Sequence, residues 1–381
     1  MIDFYSLTKR ISNFYSLLQD DLSRDIWENR VLFDIHPTAD RLFHLIQSAG
    51  LLTPEEMAVQ LRWRDGVAEI LEQGGKLVLY GAGIRGGLIA GWLLNEKVKI
   101  AGFCDRNYKE FTNGLLNLPV FSPDDLLARR EEYYVIITSA AFRGEIVQFL
   151  RENNFPEDHI LPYFSDYFAE HGRSAAEQYF EFPELFPKGT AFVDGGCFDG
   201  QDSSHFARWC GGEYTKIFAF EPDSVNFERC KENLAGLSNV EVIHAGLGER
   251  STTETFLSYG QVHSRFASSK KESHIVDETL FGASAEEIQL VALDDLAKQE
   301  KIGFIKMDIE GAEWGALHGA EKTILRDKPL LAICVYHIPG DTLAIMDYLA
   351  ELVPEYRFWL RHYGTSNSET VLYASVKENS I

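Results

Sequence analysis

Three stretches of the chain combine residue types that can do chemistry. The first is Asp194-Gly195-Gly196-Cys197-Phe198-Asp199-Gly200, which follows the apolar run Ala191-Phe192-Val193 and precedes a helix expected from about Gln201, with Ser203 and Ser204 in its first turn. Glycines at a strand-to-helix turn let backbone approach a ligand without a Cβ in the way. Glu221 ends the next apolar strand, Ile217 to Phe220. A carboxylate there can accept hydrogen bonds from both hydroxyls of a ribose. The second stretch is Phe304-Ile305-Lys306-Met307-Asp308-Ile309-Glu310-Gly311-Ala312-Glu313, a strand running into acids, partnered by a later strand, Leu331 to Tyr336, that ends at His337. The third is Gly81-Ala82-Gly83-Ile84-Arg85-Gly86, after the strand Lys76 to Tyr80 and with Asp105 at the following strand's end. It fits the dinucleotide-binding pattern of glycines and a distal acid.

In a doubly wound sheet the strands ending at Asp308 and His337 lie beside the first strand, at the crevice where such sheets bind ligands. Asp308, Glu310 and His337 are therefore expected around Gly196 and Gly200. His337 is the first choice for a general base, since imidazole titrates near neutrality, and Asp308 is the second. Each residue also has a plainer reading. Asp194 can anchor the turn, Glu221 can be a solvated strand-end acid, and His337 can be a hydrogen-bonded structural histidine. Lys306 is expected to reach a carboxylate or the sheet's rim, and Glu313 to cap the next helix or pair with Lys306. Cys197 reads as a small residue fitting a tight turn. A divalent ion on Asp308 and Glu310 is a weaker option, and no metal site is assigned.

These residues need elements to hold them. Residues 1–72 read as helical, with Phe4, Leu7, Ile11, Tyr15 and Leu18 on one stripe and Thr53-Pro54-Glu55-Glu56 as a helix start. Residues 73–165 alternate strand and helix as a small Rossmann-like domain of three or four strands, with Ser122-Pro123-Asp124-Asp125 capping one helix. Residues 166–190, with Pro183, Pro187 and Gly189, read as a linker. Alternation resumes over 191–381, which implies a second parallel sheet covered by helices. The polar stretch from Ser251 to Ala285, containing His263-Ser264-Arg265, can be an acceptor-binding lid or a plain loop.

Composition narrows the function class. The formal net charge of -22 repels phosphate backbones, so no nucleic-acid partner is expected. The five cysteines, Cys104, Cys197, Cys210, Cys230 and Cys334, are scattered without a CxxC pair. That suits reduced thiols and a cytoplasmic protein. No secretory signal is read at the N-terminus, and no apolar run approaches the ~20 residues of a membrane span.

The second half resembles the FkbM-type S-adenosylmethionine-dependent methyltransferases. The matching pieces are Phe192 to Gly200, Phe220-Glu221-Pro222, Leu293-Asp294-Asp295, Ile305 to Glu313 with Gly319-Ala320, and Tyr336-His337. The resemblance implies an α/β class I methyltransferase fold, a mostly parallel doubly wound sheet closed by antiparallel strands at Tyr356 to Arg361 and Glu369 to Ala374. It implies S-adenosyl-L-methionine as cofactor, with Asp194, Gly196 and Gly200 around its methionine part, Glu221 on its ribose and Asp308 near the transferred methyl. Gly195, Cys197, Pro222, Ala245 and Gly246 are counted in the same set. The expected reaction is O-methylation of a saccharide or secondary-metabolite hydroxyl, on a small-molecule or glycan acceptor. The N-terminal helices are a candidate homo-oligomer surface. Two alternatives remain: an NAD-dependent nucleotide-sugar oxidoreductase or epimerase, and a non-enzymatic nucleotide-sensing protein. Both would use Gly81, Gly83, Gly86 and Asp105 as a second nucleotide site, unless that module is only a scaffold.

Overall fold

A computed structural model of the chain describes residues 4–52, 54–139, 142–161, 178–258, 265–266 and 284–377. The expected Thr53 cap, His263-Ser264 with most of the polar stretch around them, and residues 166–177 of the linker lie outside the described residues. Residues 32–161 form one compact unit. Residues 4–31, with those from 178 onward, form the other. No helix among the described residues is long and apolar enough to cross a membrane.

The residue 32–161 unit is built on five parallel strands: β1 (Lys76–Tyr80), β2 (Ile100–Cys104), β3 (Val120–Phe121), β4 (Tyr133–Ile137) and β5 (Ile160–Leu161), in the order β3-β2-β1-β4-β5. β1 and β4 are near-continuous apolar runs because helices cover a parallel sheet on both faces. Val78, Tyr80, Val135 and Ile137 pack with Leu126, Ile146 and Leu150 from the covering helices. Five strands replace the three or four expected. β3 and β5 are two residues long, too short to leave a periodic signal in sequence. Ser122 and Asp125 form the reciprocal cap that starts the helix Pro123–Ala128.

The second unit centres on β6 (Thr190–Gly195), wholly buried. From it the chain winds outward through β7 (Tyr214–Phe220) and β8 (Val240–Ile243). A separate small sheet follows, made of β9 (Gly246–Leu247), β10 (Thr252–Ser258), β11 (Arg265–Phe266) and β12 (Ser284–Val291). The chain then returns to the other side of β6 through β13 (Ile302–Met307) and β14 (Leu330–Cys334), and closes with β15 (Arg357–His362) and β16 (Thr370–Ser375). The seven-stranded order is β15-β16-β14-β13-β6-β7-β8, parallel except for β16, which runs antiparallel to both neighbours. This is the α/β, doubly wound, mostly parallel sheet anticipated. Winding reverses between β6 and β13, so their carboxyl ends frame the crevice.

Three local readings change. The polar stretch after Ser251 begins with β10, which pairs antiparallel with β12. The pair buries little beyond Phe256 and Ile288, so its hydrophobic alternation is weak in sequence. The end of the segment read as a linker is no spacer: Tyr179, Phe180, Phe182, Leu185 and Phe186 lie in the core with Phe192, Phe206 and Phe304. Finally, the junction between the helices Phe4–Leu17 and Asp21–Ile35 docks on edge strand β15. Leu18 bridges to Phe358, and the Leu360 N–H donates to Ser23 Oγ at 3.0 Å. Arg361 is buried between Asp20, at 2.7 Å, and Glu181, at 2.6 Å. Covering an exposed strand edge removes a site of unwanted pairing.

Candidate active site

β6 ends in a turn whose glycines serve the protein's own packing. Gly196 has φ +72°, and a Cβ on it would sit 1.9 Å from the Asp308 carbonyl oxygen. Gly200, at φ +84°, lies against Leu234 and Cys230. The reason for glycine at these two positions is therefore close approach of β13's end and of the helix Ser224–Leu234, where ligand approach had been expected. Cys197 is buried with its Sγ 3.2 Å from Cys230 Sγ. That contact and burial hold its thiol well above the usual range, so it can meet a ligand only through its backbone. Phe198, also at positive φ, is 40% exposed at the turn's tip.

The turn is held from beneath by a buried ion pair. Lys306 Nζ lies 3.0 Å from Asp194 Oδ1, 3.1 Å from Asp202 Oδ2 and 2.8 Å from the Gly196 carbonyl oxygen. Ser203 donates to Asp194 Oδ2 at 2.7 Å. Burial alone would lower the Lys306 amine, but Asp194, Asp202 and Asp308 outweigh it and keep the amine charged well above its ordinary range. Asp194 is fully buried with both oxygens engaged. It anchors the turn, the plainer of its two readings, and faces no opening. Lys306 reaches a carboxylate as expected, while Glu313 pairs with His337 and not with Lys306.

Glu221 follows β7 and joins it to the turn. Its Oε2 accepts from the Phe198 N–H and its Oε1 from the Asp223 N–H, both at 2.9 Å. Burial pushes its carboxyl up to about 7, against the lowering effect of those two donors. The anion is thus under-solvated, and each oxygen keeps a further lone pair for a donor such as a diol. Pro222 beside it is half-buried, whereas Ala245 is buried and Gly246 is paired with Leu290 of β12.

On the β13 side stands a denser cluster. Asp308 accepts from Tyr179 Oη at 2.7 Å and Tyr336 Oη at 3.1 Å, and a quarter of its side chain is exposed. His337 lies past the end of β14, which stops at Cys334. Its Nδ1 is 2.9 Å from Glu313 Oε1, and its Nε2 is 3.4 Å from Asp308 Oδ1 and 3.7 Å from Glu310 Oε2. Burial would lower this imidazole, but Glu313, Asp308 and Glu310 together raise it to about 9. The three carboxylates therefore favour the protonated imidazole, which works against the expected role of His337 as a general base. Burial raises and His337, Lys306 and the two tyrosines lower the Asp308 carboxyl, with a net fall that leaves it ionised. The sequence pattern placed Asp308, Glu310 and His337 together, but it did not bring Glu313 to His337 and it missed the tyrosines. Tyr336 adjoins His337 and was within reach. Tyr179 comes from the supposed linker, where nothing in the sequence pointed to this carboxylate.

The glycine turn after β1 has its own arrangement. Gly81, at φ +120°, accepts from Thr138 Oγ1 at 2.8 Å, and a Cβ on Gly86 would lie 2.0 Å from the Gly81 carbonyl oxygen. Space around Gly83 is open. Asp105 accepts from the Ala82 and Asn107 N–H groups, both at 2.8 Å, and so clamps the turn it was expected to complement.

Residues 194–365 match the family model of the methyltransferase FkbM domain. No curated protein matches the chain. Among solved structures, methyltransferase FkbM from Methylobacillus flagellatus KT is 19% identical with a TM-score of 0.45, over 84% of this chain and 99% of that one. An rRNA methylase from Streptococcus thermophilus is 18% identical with a TM-score of 0.33, over 53% of this chain and 95% of its own. Fibrillarin from Aeropyrum pernix, in complex with natively bound S-adenosyl-L-methionine, is 10% identical with a TM-score of 0.29, over 49% and 66%.

Proposed function

Starting from an FkbM methyltransferase domain across residues 194–365, we propose that the chain transfers a methyl group from S-adenosylmethionine to a hydroxyl of a saccharide or secondary metabolite. The observation that carries this reading is Glu221. It is a buried, under-solvated carboxylate at the β7 end, bonded to the exposed tip of the β6 turn. Two ribose hydroxyls are donors of the kind it lacks. The cofactor, when bound, supplies an already activated methyl on a sulfonium.

The chain's own residues would do the rest. The Asp194–Lys306 pair fixes the turn, and Glu221 orients the nucleoside. Asp308, ionised and partly open, would accept the hydrogen bond of the acceptor hydroxyl, align its oxygen and take its proton as the oxygen gains the methyl and the sulfonium is left as a thioether. Such positioning can supply about 7–11 kcal/mol of a barrier. Tyr179 and Tyr336 keep Asp308 from swinging away.

Calorimetry with S-adenosylhomocysteine tests the reading. Saturable binding by the full chain, lost in Glu221→Ala while thermal unfolding stays cooperative, is the expected result. Failure of the native chain to bind either sulfur cofactor would sink the proposal.

A further inference from the structure

The cluster around His337 has a feature that a hydrogen-bonded structural histidine would not need. Its Nδ1 side is fully engaged by Glu313, yet Nε2 makes no hydrogen bond among the described residues although it is buried. The second Glu313 oxygen, Oε2, is likewise buried without a hydrogen-bond partner. The distances from Nε2 to Asp308 and Glu310, 3.4 and 3.7 Å, exceed the 2.7–3.2 Å of an ordinary N–H···O bond. They match the separation of about 3.4 Å between two ligands bound at ~2.1 Å to one tetrahedral ion. A ring nitrogen of His337 and the carboxylates of Asp308 and Glu313 lie within 4.8 Å of one another.

We propose that this is a cation site. A divalent first-row transition ion binds His337 Nε2 and the carboxylates of Asp308 and Glu310, and Glu313 is the carboxylate that holds the imidazole by Nδ1. The donor chemistry suits the class: imidazole favours transition ions, and carboxylates admit the harder ones such as Mn²⁺. Glu313, which also accepts from the Ile309 N–H at 2.9 Å, keeps the Nδ1 proton in place, and the ion binds Nε2 in exchange for the proton there, which leaves to solvent. Tyr179 and Tyr336 steady Asp308 in the same way. The side chains of Asp308 and Glu310 are each about a quarter exposed, which leaves coordination positions open for water or an acceptor oxygen. An oxygen bound there would lose its proton more readily, as metal-bound water does.

The site stands independently of methyl transfer, and its test uses neither cofactor nor acceptor. The full chain, stripped with EDTA, is titrated with Mn²⁺, and bound ion is followed by electron paramagnetic resonance. One saturable Mn²⁺ per chain is expected, with the nitrogen modulation of a directly bound imidazole in the pulsed spectrum. His337→Gln should abolish that modulation. Asp308→Asn, close to isosteric and partly exposed, should weaken binding at least tenfold, and Glu313→Gln by roughly 10–100-fold. Circular dichroism establishes that each variant is folded. Absence of a saturable site in the native chain overturns the proposal. So does nitrogen modulation that persists in folded His337→Gln, or affinity unchanged in Asp308→Asn.

Discussion

The two glycine turns, Gly81 to Gly86 and Gly195 to Gly200, occupy the same station in their own sheets. Each follows the first strand of its sheet and leads into a helix. Each is clamped by an acid one strand over, Asp105 on the Ala82 N–H and Glu221 on the Phe198 N–H. Each also contains a glycine whose Cβ would collide with a carbonyl at about 2 Å, Gly86 with Gly81 and Gly196 with Asp308. What differs is the surroundings. Behind the second turn stand a buried lysine, an ionised aspartate and a histidine among three carboxylates. Behind the first stands the Thr138 hydroxyl. A shared turn is a property of the fold, and chemistry depends on what neighbouring strands bring to it.

Four substitutions probe that contrast, and the largest effect is expected at the feature the first turn lacks. Lys306→Met leaves Asp194 buried without its cation and should cost about 3–5 kcal/mol in urea unfolding. A loss below 1 kcal/mol would mean that the ion pair is not what holds the second turn. Gly196→Ala combines a positive φ with a collision against the Asp308 carbonyl. A destabilisation of about 2–4 kcal/mol is expected, together with loss of S-adenosylhomocysteine binding in calorimetry.

Glu221→Gln tests the electrostatics. The folded chain raises this carboxyl from 4.5 to about 7, so the fold holds its proton more tightly than the unfolded chain does. The resulting stabilisation is complete below pH 4.5 and is lost as pH rises through about 7. The unfolding free energy of the native chain, read from urea titrations, should therefore fall across that window by on the order of 3 kcal/mol, a decline that the glutamine variant lacks. Identical pH profiles for the two proteins would remove the under-solvated carboxylate from the account. The smallest effect belongs to Gly83→Ala in the first turn. Its Cβ meets open space at a negative φ, and scanning calorimetry should register less than about 1 kcal/mol.

Much of the architecture was legible because long parallel strands are near-continuous apolar runs. β6, β7, β13 and β14 could be found by inspection, and their order follows from how such sheets wind. β3, β5 and β10 escaped because they are short or bury only one residue or two. Tyr179 escaped for a different reason: its partner Asp308 lies 129 positions away, and no periodicity links them.

The sequence by itself determined that two strand–turn–helix units exist, that acids and His337 close the second one, and that its pieces resemble a methyltransferase domain. Those are matters of local pattern and order along the chain. Only the tertiary structure decided the state of each group. It turned Asp194 inward onto Lys306, and it set Glu221 in a poorly solvated place. It also surrounded His337 with three carboxylates, which favour the protonated form of the residue chosen as a base. Charge state depends on burial and on neighbours brought from distant segments, and neither is written in the spacing of residues.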